Sequence, residues 1–195
     1  MKILLLNHTN DPEFVIGQMA GICYGSQSDD REKNIKRAAH CVDKGHLATL
    51  RFAHATFHVS GISRACSHQF VRSKHLDFLQ RSQRYCDETK SDIVIPDAIT
   101  NSKQLKYFNT AIEMSYAVYT NLLAEGVKKE DARMVLPTCS ETELIVTGNF
   151  QAWADFIKLR SGSESQWEIR NVANDIRAQL RGIAPSIFGE TNATR

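Results

Sequence analysis

The sequence predicts an α+β fold, because its predicted strands and helices do not alternate regularly along the chain. Residues 53–59 alternate between apolar and polar side chains, which is typical of a half-buried strand. Residues 101–125 carry apolar side chains at steps of three or four, which predicts the longest helix. The 195 residues are expected to form one domain, 1–195, which is long enough to bury a sizeable core.

The first part of the chain is predicted to form two strands with two helices between them. Asp11 and Pro12 are typical of the N-cap and the first position of a helix. After the second strand, Gly61 is expected to turn the chain, and Ser63 to cap a helix that carries a basic stretch. The predicted bounds are 2–6 and 53–59 for the strands, and 12–23 and 30–42 for the helices.

The remainder of the chain is predicted to be mainly helical. Gly126 is expected to end the long helix, and Leu136-Pro137 to close a short one. Gly148-Asn149 marks the start of another helix. The predicted bounds are 93–95 and 143–147 for extended segments, and 101–125, 129–134, 149–159 and 166–181 for helices.

Charge and cysteine content exclude some classes of protein. The formal net charge is +2, so bulk charge gives no case for a protein that binds nucleic acid. The five cysteines form no CxxC pair and no zinc-like spacing with histidine, so we expect no metal site and reduced thiols in a cytoplasm. No apolar run approaches the ~20 residues that span a bilayer, so no membrane partner is expected.

The stretch 63–85, SRACSHQFVRSKHLDFLQRSQRY, is the candidate binding segment. It carries four arginines and one lysine, with Asp77 as its only carboxylate. Arginine forks with so little internal counter-charge suit phosphate. Arg81 and Arg84 are three residues apart and would share one helix face. The alternative is a solvated, charged helix face, although such faces usually alternate in sign.

Two further arginines stand in apolar surroundings. Arg160 follows Phe156 by four residues and Ile157 by three, so it continues an apolar helical stripe. It either reaches solvent near the helix end, or is held in a cleft where it stabilises developing negative charge. Arg133 precedes the apolar segment 134–137 and is either a surface arginine at a helix end or a phosphate contact.

These residues resemble the signature of the flavin-dependent thymidylate synthase (ThyX) family. Within the basic stretch, the similarity lies in SRACSHQ, in an R-x-(R/K) element and in S-Q-R-Y. It continues in the family's order over nearly the whole chain, at Cys23-Tyr24, Gly45-His46, Arg133-x-Val-Leu-Pro137, Thr147-Gly-Asn149, Ala152-Trp153, Phe156, Arg160 and Gln166-x-Glu-Ile-Arg170.

The resemblance implies a homotetramer of α+β subunits, each with an antiparallel sheet packed on a helical bundle. Active sites would be shared between subunits. It also implies conversion of dUMP to dTMP with methylenetetrahydrofolate, FAD as the cofactor and NADPH as its reductant. No cysteine nucleophile would be used, because an arginine and the flavin activate the uracil.

The family's functional residues carry over to the matching positions of this chain. Arg160 matches the arginine that holds the pyrimidine and stabilises charge as C6 accepts hydride, so it is the catalytic candidate. The substrate-binding candidates are Gln69, Gln80, Ser82, Arg84, Arg133 and Arg160. The cofactor-binding candidates are Arg72, Ser73, Lys74, Asn149 and Asp155.

Several positions depart from the family pattern, mostly on its flavin and folate side. Arg72-Ser73-Lys74 replaces Arg-His-Arg, which removes an imidazole and exchanges a planar fork for a point charge. Arg51 replaces a glutamate, and it could bind a flavin phosphate or pair with a carboxylate such as Asp77 or Asp155. The other departures are Phe52 for His, Ala48 for Ser or Thr, Asp77 for Ser, Leu79 for Asn or Ser, Gln151 for Arg, and Asp155 for His or Asn.

Three functions compete. The first is C5 methylation of a uridine nucleotide, with dUMP or UMP as substrate and a methyl or hydroxymethyl product. The second is a nucleotide-binding relative without flavin chemistry, which the retained nucleotide set and the altered flavin set suggest. The third is a nucleic-acid-binding module, which the near-neutral charge and the few aromatic residues around the arginines disfavour.

Overall fold

The computed structural model of the protein describes residues 1–189. Its strands are β1 (Lys2–His8), β2 (His54–Ser63), β3 (Leu76–Gln80) and β4 (Glu141–Asn149). Its α-helices are α1 (Pro12–Ile22), α2 (Arg31–Asp43), α3 (Arg64–Phe70), α4 (Ser102–Ala124), α5 (Lys129–Ala132), α6 (Phe150–Arg160), α7 (Trp167–Ile183) and α8 (Pro185–Phe188). Short 3-10 helices cover Leu47–Phe52 and Arg133–Val135.

The four strands form one antiparallel sheet in the order β1-β2-β4-β3. The period of two predicted for 53–59 is confirmed, because Ala55, Phe57 and Val59 are buried on one face. Helices α3, α6 and α7 contribute to the same core, where the Phe57 ring meets the Trp153 ring edge-on with centroids 5.0 Å apart. A sheet packed against helices in this way is the predicted α+β arrangement.

Asn149 caps α6 as predicted, whereas Asp11 does not cap α1. The Asn149 side chain accepts a hydrogen bond from the Ala152 backbone N–H at 2.9 Å. Asp11 occupies the N-cap position with a left-handed φ of 44° but makes no side-chain cap bond. Its carboxylate instead accepts two hydrogen bonds from the Arg31 guanidinium, so the ion pair takes the place of the cap.

The longest helix, α4, is largely exposed in the single chain. Asn101 and Gln104 form a capping box at its start, and Gly126 follows its end with a φ of +85°. Only Tyr119 of this helix is buried. Neither α4 nor any other helix within residues 1–189 is long and apolar enough to cross a membrane.

Gly61 bends strand β2 rather than ending it. Its φ of +70° lies in the left-handed region that glycine adopts readily. The register between β2 and β4 shifts between Val59 and Ile62, and β2 then continues to Ser63, which pairs with Glu141. The predicted turn is therefore wrong, and the glycine forms a β-bulge.

The basic stretch is not one helix. Helix α3 ends at Phe70, and residues 76–80 form β3, which pairs with β4. The prediction that Arg81 and Arg84 share a helix face is wrong, because both lie in the loop after β3. The physical reason is apolar packing: the Phe78 ring of β3 lies edge-on to the Phe70 ring with centroids 5.4 Å apart.

Candidate active site

Helix α3 is fixed to α7 by a buried carboxylate. The backbone N–H and the hydroxyl of Ser63 both donate to Glu168, each at 2.6 Å. The Ser63 Oγ in turn accepts a hydrogen bond from the Cys66 backbone N–H at 3.0 Å. Glu168 therefore orients the cap that starts α3, and α3 carries the substrate-binding candidate Gln69 in its last turn.

Two predicted phosphate contacts, Arg84 and Arg133, come together at Glu130. The Arg84 Nε donates to the Glu130 carboxylate at 2.5 Å, and the Arg133 Nε donates to the Glu130 carbonyl oxygen at 3.0 Å. The terminal Nη atoms of both arginines have no hydrogen-bond partner within residues 1–189. Both forks can therefore donate to a phosphate.

Arg64 lies near Arg133; in the sequence it counts among the arginines of the basic stretch but is not named as a site residue. Its Nη2 donates to the Arg81 carbonyl oxygen at 2.7 Å, and its Nε is buried without a partner among the described residues. Burial lowers the pKa of the Arg64 guanidinium; the Glu88 charge opposes this, and the Arg133 and Arg81 charges lower the pKa further. Arg64 and Arg133 are therefore neighbouring guanidinium groups that repel each other, and such a pair favours an anionic ligand. The signal in the sequence was an arginine directly after the Ser63 cap.

The three neutral substrate-binding candidates differ in how many hydrogen bonds their side chains already make within the protein. The Gln80 Nε2 donates to a serine hydroxyl of α3 at 2.9 Å and to a threonine hydroxyl of β4 at 3.2 Å, so its amide nitrogen is committed. The Gln69 Nε2 makes only a long contact, 3.5 Å, with a carbonyl oxygen of its own helix. The Ser82 Oγ accepts from the Arg84 backbone N–H at 3.2 Å and keeps its own proton for a ligand.

Arg160 is the last residue of α6 and lies beside α3. One turn earlier, the Phe156 ring stacks on the Phe70 ring of α3 with centroids 4.6 Å apart. The Arg160 Nε is buried and has no hydrogen-bond partner within residues 1–189, while the whole side chain is only partly buried. The guanidinium is therefore neither fully solvated nor paired, which suits a group that meets a ligand.

A cavity of about 230 Å³, the Asn149 cleft, contains two of the predicted cofactor residues, Asn149 and Asp155. The Asn149 Oδ1 caps α6, which leaves its amide nitrogen for a ligand. The Arg51 Nε donates to the Gln151 Oε1 at 2.6 Å, and Arg51 forms no ion pair with Asp77 or Asp155. The cleft is lined by Arg51, His75, Asn149, Gln151, Ala152 and Asp155.

The Arg72-Ser73-Lys74 element lies in the loop between α3 and β3. Arg72 and Lys74 are exposed and do not line the Asn149 cleft, whereas the next residue, His75, does. The Ser73 hydroxyl is buried and has no partner among the described residues. The structure thus brings this loop to the cleft through His75 and leaves Arg72 and Lys74 outside it in a single chain.

Cys66 is expected to resist alkylation. Burial raises the pKa of its thiol, and the residue is fully buried, so little thiolate forms and a reagent cannot reach it. Native protein treated with iodoacetamide at mildly alkaline pH should be labelled at the exposed Cys23 but not at Cys66, as measured by peptide mass spectrometry. Protein unfolded in urea serves as the control and should be labelled at both. Labelling of Cys66 in the native protein would contradict this prediction.

Comparison with known proteins places this chain in a family. The profile of the family described as thymidylate synthase complementing protein matches residues 4–186. A flavin-dependent thymidylate synthase from Geobacter sulfurreducens is 39% identical over 198 residues, which cover 96% of this chain and 85% of that protein. Flavin-dependent thymidylate synthases from Mycobacterium tuberculosis and Mycobacterium marinum are each 34% identical over 191 residues, covering 88% of this chain and 76% of those proteins. The chain belongs to the thymidylate synthase complementing protein family.

Proposed function

We propose that this protein converts dUMP to dTMP as a flavin-dependent thymidylate synthase. The observation that carries the proposal is the family match over residues 4–186, together with relatives of that name along most of the chain. The methylene carbon of methylenetetrahydrofolate passes to C5 of the pyrimidine and becomes a methyl group, and tetrahydrofolate leaves. The two electrons that this reduction needs come from NADPH through FAD. We place the reaction in the cytoplasm, which the five free cysteines support.

The nucleotide phosphate is proposed to bind at the arginines that meet near Glu130. The Nη donors of Arg84 and Arg133 have no hydrogen-bond partner among the described residues, and Arg64 adds a partly buried guanidinium near Arg133. A phosphate would relieve the repulsion between Arg64 and Arg133 and accept hydrogen bonds from the forks of Arg84 and Arg133. Gln69 and Ser82, whose polar groups are not fully used by the chain, would orient the sugar and base.

Arg160 is proposed to hold the pyrimidine. Its guanidinium would donate to a carbonyl oxygen of the base and stabilise the negative charge that develops there as C6 accepts hydride. Its partly buried position strengthens that interaction, because electrostatic attraction grows as water is excluded.

The polar groups at the Asn149 cleft fit FAD. Among the described residues, the Nη donors of Arg51 and the amide nitrogen of Asn149 have no partner, and Asp155 is the only carboxylate that lines the cleft. Two residues before His75, the Ser73 hydroxyl lies outside the cleft lining and is buried without a partner within residues 1–189. We propose that Asn149, Asp155 and the Arg72-Ser73-Lys74 loop hold the cofactor, with Arg72 and Lys74 reaching a cofactor that is shared between subunits.

We also propose that the protein works as a homotetramer. The support comes from α4, which exposes Leu105, Tyr107, Met114 and Val118 in the single chain and buries only Tyr119. A helix this long with so much exposed apolar surface is typical of a subunit interface. A second subunit would also bring polar side chains to a cofactor that one chain holds only in part.

Lysine substitutions on the exposed apolar side of α4 are expected to dissociate the assembly. Met114→Lys combined with Val118→Lys would place two charges in an apolar interface, where an unpaired charge is strongly unfavourable. Light scattering after size exclusion should then report species smaller than the wild-type tetramer. Thr120→Lys adds a charge at an exposed polar position of the same helix and serves as the control. An unchanged molar mass in the double variant would contradict this placement of the interface.

The function itself is tested by flavin binding and turnover. The absorbance spectrum of the purified protein is recorded with and without added FAD, and NADPH oxidation is then followed with methylenetetrahydrofolate and dUMP. UMP in place of dUMP tests the substrate, and product analysis separates a methyl from a hydroxymethyl group. A protein without FAD affinity would overturn the proposal and favour a nucleotide-binding relative that has lost flavin chemistry.

A further inference from the structure

Arg51 is a cation that the protein holds in place with a neutral partner. Its Nε donates to the Gln151 Oε1 at 2.6 Å, across 100 positions of sequence. The contact joins the 3-10 helix Leu47–Phe52 to the first turn of α6, and both residues line the Asn149 cleft. An amide oxygen orients the guanidinium without cancelling its charge, so the cleft keeps a positioned positive group.

Arg51 differs in this respect from the arginines that form ion pairs, such as Arg31 and Arg84. Arg31 pairs with Asp11, and Arg84 pairs with Glu130. Arg51 forms no ion pair within residues 1–189, and its two Nη atoms have no hydrogen-bond partner there. An oriented fork with free terminal donors suits an anion with two oxygens, such as a phosphate group.

The contact joins two of the departures from the family pattern. The pattern predicts a glutamate at position 51 and an arginine at position 151, and this chain has Arg51 and Gln151. The structure places these two side chains in direct contact at the cleft. The guanidinium therefore reaches the cleft from position 51 of the 3-10 helix. Position 151 of α6, where the family pattern has an arginine, carries an uncharged glutamine instead.

We propose that Arg51 binds the diphosphate of FAD in this chain and supplies the guanidinium that position 151 lacks. This inference rests on the proposed FAD-dependent function and deepens it by assigning a cofactor-specificity residue. It also accounts for the neutral Gln151, because an arginine at that position would repel Arg51 at a distance of one hydrogen bond.

The first test measures the FAD dissociation constant by flavin fluorescence for the wild type, Arg51→Gln and the control Arg31→Gln. Arg51→Gln should weaken FAD binding by about tenfold, the usual effect of losing one charge-assisted hydrogen bond. Because the diphosphate is charged and the oxidised flavin ring is neutral, raising NaCl from about 50 mM to about 300 mM should weaken FAD binding less in Arg51→Gln than in the wild type. Arg31→Gln removes an exposed cation outside the cleft and should keep the wild-type affinity and salt dependence.

The second test returns the guanidinium to α6. The double variant Arg51→Gln with Gln151→Arg should restore FAD affinity to within about threefold of the wild type, because the fork again reaches the cleft. Three results would each overturn the assignment while leaving the proposed function in place. They are an unchanged FAD affinity in Arg51→Gln, a weaker FAD affinity in Arg51→Gln with an unchanged salt dependence, and a double variant that binds FAD no better than Arg51→Gln. A wild-type protein that binds no FAD would overturn the proposed function itself, and this inference with it.

Discussion

Arg160→Ala is expected to lower kcat for dTMP formation by about 100- to 1,000-fold, with a much smaller change in the affinity for dUMP. The guanidinium lies at the end of α6 beside α3, partly buried, and its Nε has no partner within residues 1–189. A donor that is shielded from water without a hydrogen bond costs free energy in the folded protein. That cost is recovered when the donor meets charge that develops on the pyrimidine in the transition state.

The same argument predicts that Arg160→Ala does not destabilise the protein. The substitution removes a buried donor that the fold leaves unsatisfied, so the thermal unfolding midpoint should stay the same or rise. Steady-state rates check the predicted fall in kcat, and circular dichroism melts on the same preparation check the unfolding midpoint. Arg160→Lys keeps the charge without the fork and should retain more activity than Arg160→Ala, and Arg31→Ala controls for loss of an exposed arginine. An Arg160→Ala protein that works at nearly the wild-type rate would remove Arg160 from the mechanism.

Elements decided by local chemistry were predicted correctly from the sequence. The alternation over 53–59 reports a strand with one buried face, and the cap at Asn149 and the stop at Gly126 fix helix ends within a few residues. The family was also predicted, from motifs spread over nearly the whole chain, and the family match over residues 4–186 confirms it. The assigned roles of the site residues stay predictions.

Strand β3 was missed because its pattern is ambiguous. Leu76 and Phe78 alternate as in a strand, but Leu79 is 75% exposed, and its spacing from Leu76 imitates a helical face. The extended form of this segment is stabilised by its pairing with the edge of β4 and by the packing of Phe78 on Phe70. The 3-10 helix Leu47–Phe52 and the short helix α8 were also missed, because their few residues carry little periodicity.

The residue types of the candidate site are visible in the sequence, but their pairings are not. The arginines that suit a phosphate were visible as residue types, yet the meeting of Arg84 with Glu130 joins positions 46 residues apart. The sequence left either a flavin phosphate or a carboxylate as the partner of Arg51, and within the chain the fold places Gln151 beside it. Such pairings depend on how distant elements pack, which no local pattern encodes.

Glu168→Ala is expected to lower the free energy of unfolding by about 3 kcal/mol, because two charge-assisted hydrogen bonds are lost and the cap of α3 is weakened. Glu168 is 3% exposed and accepts from both the N–H and the hydroxyl of Ser63. Without the carboxylate, these donors stay buried and unpaired, which costs more than leaving them in water. Urea unfolding at one fixed protein concentration measures the change, since assembly adds to apparent stability. Glu164→Ala, at an exposed position shortly before α7, is the control and should change stability by less than about 0.5 kcal/mol.

A double-mutant cycle with Ser63→Ala separates this network from simple loss of a side chain. Ser63→Ala alone removes the cap and one partner of a buried carboxylate, so it too should be strongly destabilising. In the double variant the Ser63 hydroxyl and the Glu168 carboxylate disappear together, and only backbone N–H groups stay unpaired, so the combined loss should fall short of the sum by about 1 kcal/mol or more. Strict additivity would show that Ser63 and Glu168 act independently. Helix α3 carries Gln69, and its Phe70 packs on Phe156, one turn before Arg160. A coupled Ser63–Glu168 pair would therefore also link the stability of α3 to the positions of Gln69 and Arg160.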